Sequence, residues 1–468
     1  QLPFTDSLCS IIIEKVTKDL FMFRLLSAEW RIFMNVAGII AEYNPFHSGH
    51  LYHLQKTKQL FGADYLIVVL SGNFVQRGEP AIFDKSVRTR MALLCGADLV
   101  LELPAPFACG SAEDFAMGAV SLLHHLGITT HLSFGSEGGD QTIPKKAAQI
   151  ALAEPPAYRE SLKNALSRGL TYPQARSIAL CAAGLKEEEA ALIEKPNNLL
   201  GMEYCKALYA LKSPILSVTV KRKGCGYHDQ ELKTGKFASA SALRKAIAEQ
   251  TDASEKYAPL YEEFSEQHTP LYEEFSEQHA PLFEQLPPVL WSFYHPKTCF
   301  PLYPDDFSSM LNYQILLSRG RFSDFSDCSP ELANRLEKQA LSPLSFTERI
   351  TSLKTRQYTY TRISRTLIHL LLMIHREEMD AYRDNGYSSY AKILGFNRKA
   401  APLLRLIKKH TAIPLLSKAA DAEKILPEKA KKLWQKDIFC SQVYAAGFQQ
   451  KYKKTPPDEF RRQIIIQQ

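Results

Sequence analysis

The chain lacks any apolar run near the roughly 18 to 20 residues that a membrane-spanning helix needs. Its 45% hydrophobic content is what a globular core requires. It also lacks a CxxC pair. The nine cysteines, Cys95, Cys109, Cys181, Cys205 and Cys225 among them, form no dense framework. That points away from a disulfide scaffold and toward a reducing, cytoplasmic setting in which most are small buried hydrophobes. The first 33 residues have no initiator Met, no basic start and no small-residue cleavage site, so they do not read as a signal peptide. We expect 1–33 to be an extension outside the domain that begins at Met34; the alternative is an extra docked helix. Acidic charge is scarce at the other end. From Ile393 to Gln468 there are 16 Lys/Arg against 6 Asp/Glu, while the whole chain carries only +7. Such asymmetry argues for a polyanionic partner.

What is present starts with His47-Ser48-Gly49-His50. Val36–Ala41 is a short apolar run suited to a fully buried parallel strand. Tyr43-Asn44-Pro45-Phe46 is a turn, because proline fixes its own φ and restricts its neighbour. A helix then opens at Gly49-His50 and runs through Leu51 and Leu54. H-x-G-H therefore sits where a strand ends and a helix begins. There, free backbone N–H groups and the positive helix end attract phosphate, and two imidazoles around a small Ser-Gly pair can grip its oxygens. A zinc reading is weaker: His47, His50 and His53 recur every three residues, but no Cys or acidic ligands accompany them at metal spacing.

Beyond the motif the pattern alternates. Strands are expected at Tyr65–Leu70, Leu99–Leu103 and His131–Phe134, with helices at Lys85–Cys95 and Ser111–Leu126 between them. That order calls for a parallel sheet with right-handed crossovers and ligands at the carboxyl ends of its strands. Polar loops follow: Ser71–Pro80 after the second strand, Gly135-Ser136-Glu137 after the fourth, Lys195–Gly201 before a helix, and Arg222–Asp229 after strand-like Ile215–Lys221. Together they could form one polar rim.

Six segments carry a resemblance. AEYNPFHSGHLYHL, SGNFVQRGEPA, FGSE, KPNNLLGMEY, VKRKGCGYHD and ASASALRK, in this order, are similar to those of the tRNA(Met) cytidine acetate ligase family, of the HIGH-type nucleotidyltransferase superfamily. The resemblance is strong from Met34 to about Lys245 and more diffuse beyond. It implies a Rossmann-like α/β catalytic domain over 34–250. It also implies an ATP-binding segment of Ile40, Ala41, Glu42, Tyr43, Asn44, Pro45, Phe46, His47, Ser48, Gly49, His50, Leu51, Tyr52 and His53. Gly135, Asn197, Arg222 and Lys223 would complete the nucleotide site, with Asn198 as an alternative to Asn197. Ser241 and Arg244 resemble the superfamily's second phosphate signature, although Ser239 and Ser241 could equally be a simple helix N-cap.

The implied reaction activates acetate with ATP as acetyl-adenylate. The acetyl group then passes to N4 of the wobble cytidine of elongator tRNA(Met), releasing AMP and diphosphate. Acetate is already ionised, so the first step needs charge neutralisation and in-line positioning rather than a strong base. His47 and His50 would be the catalytic donors, aided by Arg222 and Arg244, with Mg²⁺ on the pyrophosphate. No protein side chain is implied as a metal ligand.

After Ala248 the organisation changes. PLYEEFSEQH occurs at Pro259–His268 and again at Pro270–His279, too few copies for a solenoid. We read 251–290 as an acidic connector and 291–468 as a mainly helical, basic, tRNA-binding domain. Helices are expected at Leu332–Leu341, Phe346–Leu353, Arg362–Arg376, Ala400–His410 and Ala422–Lys436, the last interrupted by Pro427. Arg356, Arg362, Arg365, Arg398, Lys399, Lys408 and Lys409 are the candidate tRNA-binding residues, since cations beside aromatics grip phosphates and stack bases. No segment points to a stable protein partner. Two rivals remain: a small-molecule carboxylate-activating enzyme similar to pantothenate synthetase, and a non-catalytic RNA-binding protein on a degenerate nucleotide fold.

Overall fold

A computed structural model describes residues 34–222, 237–249, 280–295 and 298–468. The expected extension 1–33, Lys223 and most of the 251–290 connector with its repeat lie outside the described residues.

The strands are β1 (Val36–Ala41), β2 (Tyr65–Ser71), β3 (Phe74–Val75), β4 (Glu79–Pro80), β5 (Leu99–Leu103), β6 (His131–Ser136), β7 (Leu216–Lys221), β8 (Ala391–Asn397), β9 (Leu415–Leu416) and β10 (Ile465–Gln467). β3 and β4 make a small antiparallel ribbon. The main sheet runs β10-β8-β5-β2-β1-β6-β7, with β9 paired to β8. The strands from β5 to β7 along this order are all parallel to one another. Both faces are covered. Val36, Ile67, Val69, Leu99 and Leu101 point into one core, while Ala37, Ile39, Leu66, Val68 and Val100 point into the other. That is why these strands read as continuous apolar runs rather than alternating ones. The chain moves outward from β1 to β2 and β5, then returns to β6 on the other side. The reversal leaves a crevice at the carboxyl ends of β1 and β6, where such sheets bind ligands.

The C-terminal part is mainly helical, but it also supplies three strands. β8 pairs antiparallel with β5, and β10 runs parallel to β8. The expected helix 346–353 forms as read. The expected 362–376 helix instead spans Tyr360–Leu371 and stops where Met373 adopts φ +53; a separate helix follows at Arg376–Asp384. Pro427 divides Ala422–Ile425 from the 25-residue helix Glu428–Tyr452, as a residue without an N–H should.

A buried ion cluster fastens the tail to the parallel sheet. Lys85 Nζ lies 2.6 Å from Glu102 and 2.8 Å from Glu459. Lys392 bridges the same two carboxylates, and Arg462 pairs with Asp84 at 2.7 Å. Each charge is paired, which is the condition for burying it at all.

Candidate active site

β1 ends at Ala41, and Tyr43 turns the chain with φ +47, a left-handed geometry uncommon for a side-chain-bearing residue. The side chains of Tyr43 and Phe46 are buried in the core and anchor this turn. His47 then caps the helix Ser48–Phe61. Its Nδ1 accepts the Gly49 N–H at 3.0 Å, and His50 Nδ1 accepts the His47 N–H at 3.2 Å. Two imidazoles thus close a reciprocal capping box of the kind usually built from Ser/Thr and Glu/Gln. The rings stack with centroids 3.8 Å apart. A Cβ on Gly49 would lie 2.8 Å from His47 Cε1, so only glycine leaves that ring in place.

The caps fix the tautomers. A ring nitrogen that accepts from a backbone N–H carries no proton, so in both histidines the proton is on Nε2. Burial, reinforced by Arg222, lowers His47 to about 3. Burial, then His47, Arg222 and His53, holds His50 well below the usual histidine value. Both are therefore neutral Nε2–H donors at pH 7. His53 is lowered to about 4, mainly by burial; its Nε2 meets Ser133 Oγ at 3.0 Å, tying the helix to β6.

A cavity of about 370 Å³ opens in front of this helix end. The structure places Ile40, Ala41, Glu42, Tyr43, Asn44, His47, Gly49, His50, Tyr52 and His53 on its wall, together with Gly135, Asn197, Arg222, Ser241 and Arg244. Pro45, Phe46, Ser48 and Leu51 are not on the wall; Phe46 is a core residue whose carbonyl receives the Tyr294 hydroxyl at 2.9 Å. Arg222 lies over Gly135, where a Cβ would come within 3.2 Å of its side chain, and donates to Asn197 Oδ1 at 3.1 Å. Asn198 is buried and spends its side chain on Ser136 and Leu192, so Asn197 is the asparagine that faces the cavity.

At the other end, Arg244 donates to Asn44 O at 2.9 Å and to Ser241 Oγ at 3.3 Å. Gln76 and Arg77 also line the cavity, and sequence reasoning did not single them out. The Gln76 N–H reaches Glu42 at 2.8 Å and Arg77 reaches Ser241 at 3.2 Å. Their loop was recognisable as polar, but nothing local told which of its side chains turn inward. Burial pushes the Glu42 carboxyl up despite Arg77 nearby. Apolar wall comes from Phe115, Phe134, Leu199 and Tyr204; Leu199 read from sequence as part of the polar loop Lys195–Gly201, but that stretch is the first turns of the helix Pro196–Ala210. Size and lining suit a drug-sized ligand with a polyanionic part.

The seven basic candidates divide between opposite ends of the sheet. Arg356, Arg362 and Arg365 lie at the carboxyl end, where Ser364 Oγ donates to Gly78 O at 2.7 Å. Arg365 is already paired with Asp327 at 2.8 Å. Arg398 and Lys399 follow β8, whose end pairs with the start of β5, and Lys399 meets Asp98 at 3.0 Å. Lys408 and Lys409 precede His410, which packs on Gly127 before β6. Those four therefore lie at the amino end, away from the cavity.

The family model for HIGH nucleotidyl transferases matches residues 34–458. A tRNA(Met) cytidine acetate ligase of Thermoanaerobacter sp. (strain X514) is 40% identical over 89% of this chain and 96% of its own length. The chain belongs to the tRNA(Met) cytidine acetate ligase family of HIGH nucleotidyl transferases. A further relative of the same description, from Acetivibrio thermocellus, is 38% identical over 92% of this chain and all of its own length. Among solved structures, Thermotoga maritima TmcAL bound with alpha-thio ATP matches with TM-score 0.80 and 28% identity, covering 92% of this chain and 99% of that one. Its apo form matches with TM-score 0.82, 29% identity and the same coverage. The α/β nucleotidyltransferase fold expected from sequence is the fold observed.

Proposed function

We propose that the protein is an ATP-dependent ligase that joins acetate to N4 of the wobble cytidine of elongator tRNA(Met). The observation that carries this reading is a pair of neutral histidines at a helix N-terminus, each Nδ1 held by a backbone N–H, that line one cavity together with Arg222 and Arg244. ATP would lie with its adenosine toward Gly135, Asn197 and Arg222. Its phosphates would run past His47 and His50 toward Ser241 and Arg244. Uncharged donors there leave the α-phosphate electrophilic while stabilising charge that develops on its oxygens. Acetate attacks that phosphorus as an anion, so no general base is needed, and diphosphate leaves. Lys223, which the resemblance assigns to the nucleotide site, lies outside the described residues. Mg²⁺, expected with the nucleotide, would neutralise charge on the leaving diphosphate.

The domains we propose are the catalytic domain over 34–250, the connector over 251–290 and the basic helical part over 291–468. No helix among the described residues is long and apolar enough to cross a membrane, and a cytoplasmic tRNA is the substrate this reading requires. The test is nucleoside mass analysis of tRNA incubated with protein, ATP and isotopically labelled acetate. Labelled N4-acetylcytidine is expected. Label confined to a small metabolite would favour the pantothenate-synthetase-like alternative.

A further inference from the structure

Next to the nucleotide cavity is a second one of about 280 Å³, whose walls include Glu79, Pro80, Arg244, Tyr303, Asp305 and Tyr360. Arg244 lines both cavities, so one guanidinium separates them. Glu79 closes the loop that carries Gln76 and Arg77 into the first cavity, and its carboxylate stands 3.9 Å from Arg244 in the second. Tyr360 begins the helix Tyr360–Leu371 and is 37% exposed, as a stacking platform at a cavity mouth must be. Burial, with Glu79 and Asp305 nearby, raises its hydroxyl to about 12, so it stays protonated. The Asp305 carboxylate accepts both the N–H and the hydroxyl of Thr347, each at 2.8 Å, and so holds the wall in shape.

Aromatic faces together with a carboxylate are what a flipped-out cytosine needs. A base stacks on tyrosine, and a glutamate accepts from the cytosine N4 amine, which uracil lacks. Building on the ligase reading, we propose that this second cavity receives the target cytosine, with Glu79 as the acceptor of its N4–H and Tyr360 as its stacking partner. In the transfer, the N4 lone pair attacks the acetyl carbonyl carbon and a C–N bond forms. The bond from that carbon to the phosphate oxygen breaks, and AMP leaves with the electron pair. One N4 proton passes to the Glu79 carboxylate and then to solvent. Arg244, beside both groups, offsets the charge on the departing phosphate.

The experiment measures the ratio of acetyl transfer to acetyl-adenylate formation in single turnovers on an unmodified tRNA(Met) transcript. Loss of a positioned base is worth about 100-fold or more, so Glu79→Gln should lower the ratio by that much. Tyr360→Ala should weaken transcript binding about 10- to 100-fold, and Tyr360→Phe should restore it. Wild-type ratios in both Glu79→Gln and Tyr360→Ala, from an enzyme that does acetylate tRNA, would overturn this cavity and leave the ligase reading intact. A wild-type enzyme that never acetylates cytidine would overturn both.

Discussion

His47 uses its two ring nitrogens for different ends. Nδ1 caps the helix and leaves Nε2–H to act in the cavity that the ring lines, so the roles can be separated by substitution. Serine is a good N-cap, whereas alanine costs about 1 kcal/mol there. His47→Ser should melt close to wild type yet lose acetyl-adenylate formation about 100- to 1000-fold, the usual loss for one transition-state donor. His50→Ala should lose as much; near-normal AMP release by either variant would remove the histidines from the mechanism. The low histidine values also set a pH dependence. Unfolded histidine titrates near 6.5, whereas His47 and His53 in the fold sit at about 3 and about 4. Between those values the unfolded chain binds more protons, so stability rises with pH in that window. This part of the stability is complete above about 6.5 and is lost as pH falls toward 4. Urea midpoints at about pH 7.5 and about pH 5 should therefore differ less in His53→Gln than in wild type. The motif was legible in the sequence because residue type and a strand-turn-helix setting suffice to mark a phosphate site. The choice of Asn197 over Asn198 was not, because both lie in the first turn of one helix and only Ser136 and Leu192 decide which is turned inward.

At the scale of elements, the Ser71–Pro80 loop links the catalytic sheet to the helix Tyr360–Leu371. Gly78 has φ +76, and a Cβ there would stand 2.3 Å from the Arg365 backbone nitrogen. No side-chain rotation relieves a clash with backbone, and the φ alone costs about 1–3 kcal/mol for another residue. Gly78→Ala should lower the melting temperature by several degrees and reduce acetyl transfer more than acetyl-adenylate formation, because it displaces Glu79 and Tyr360 together. An unchanged melting temperature would mean that the loop and helix are not clamped. Pairings of this kind also mark where sequence reading stopped. β1, β2, β5, β6 and β7 could be read from apolar runs set between helices, whereas the two-residue strands β3 and β4 lie inside what read as the polar loop Ser71–Pro80. β8 was missed because Ala391–Asn397 gains its strand character from β5, nearly 300 residues earlier, and no local pattern encodes so distant a partner.

For the whole molecule, the decisive question is which end of the sheet meets the polyanion. Counted along the sequence, the basic excess lies after Ile393, yet the fold carries Arg398, Lys399, Lys408 and Lys409 to the amino end of the sheet. A five-residue parallel strand spans about 16 Å, so a tRNA delivering a base to the cavity must be gripped mainly at the other end. Arg356 and Arg362 are there, on either side of Tyr360. Every cation that no longer meets a phosphate should lower the slope of log affinity against log salt by about 0.7 to 0.9. Arg356→Ala with Arg362→Ala should flatten tRNA binding by up to twice that, whereas Lys408→Ala with Lys409→Ala should leave the slope as it was. Arg365 is a poor probe, because removing it takes the nearest partner from Asp327 and tests folding instead. If the lysine pair flattens the slope and the arginine pair does not, the tRNA body lies across the amino end. The cytosine would then have to reach its cavity from the far side of the sheet, a path the second cavity's opening beside Tyr360 does not offer.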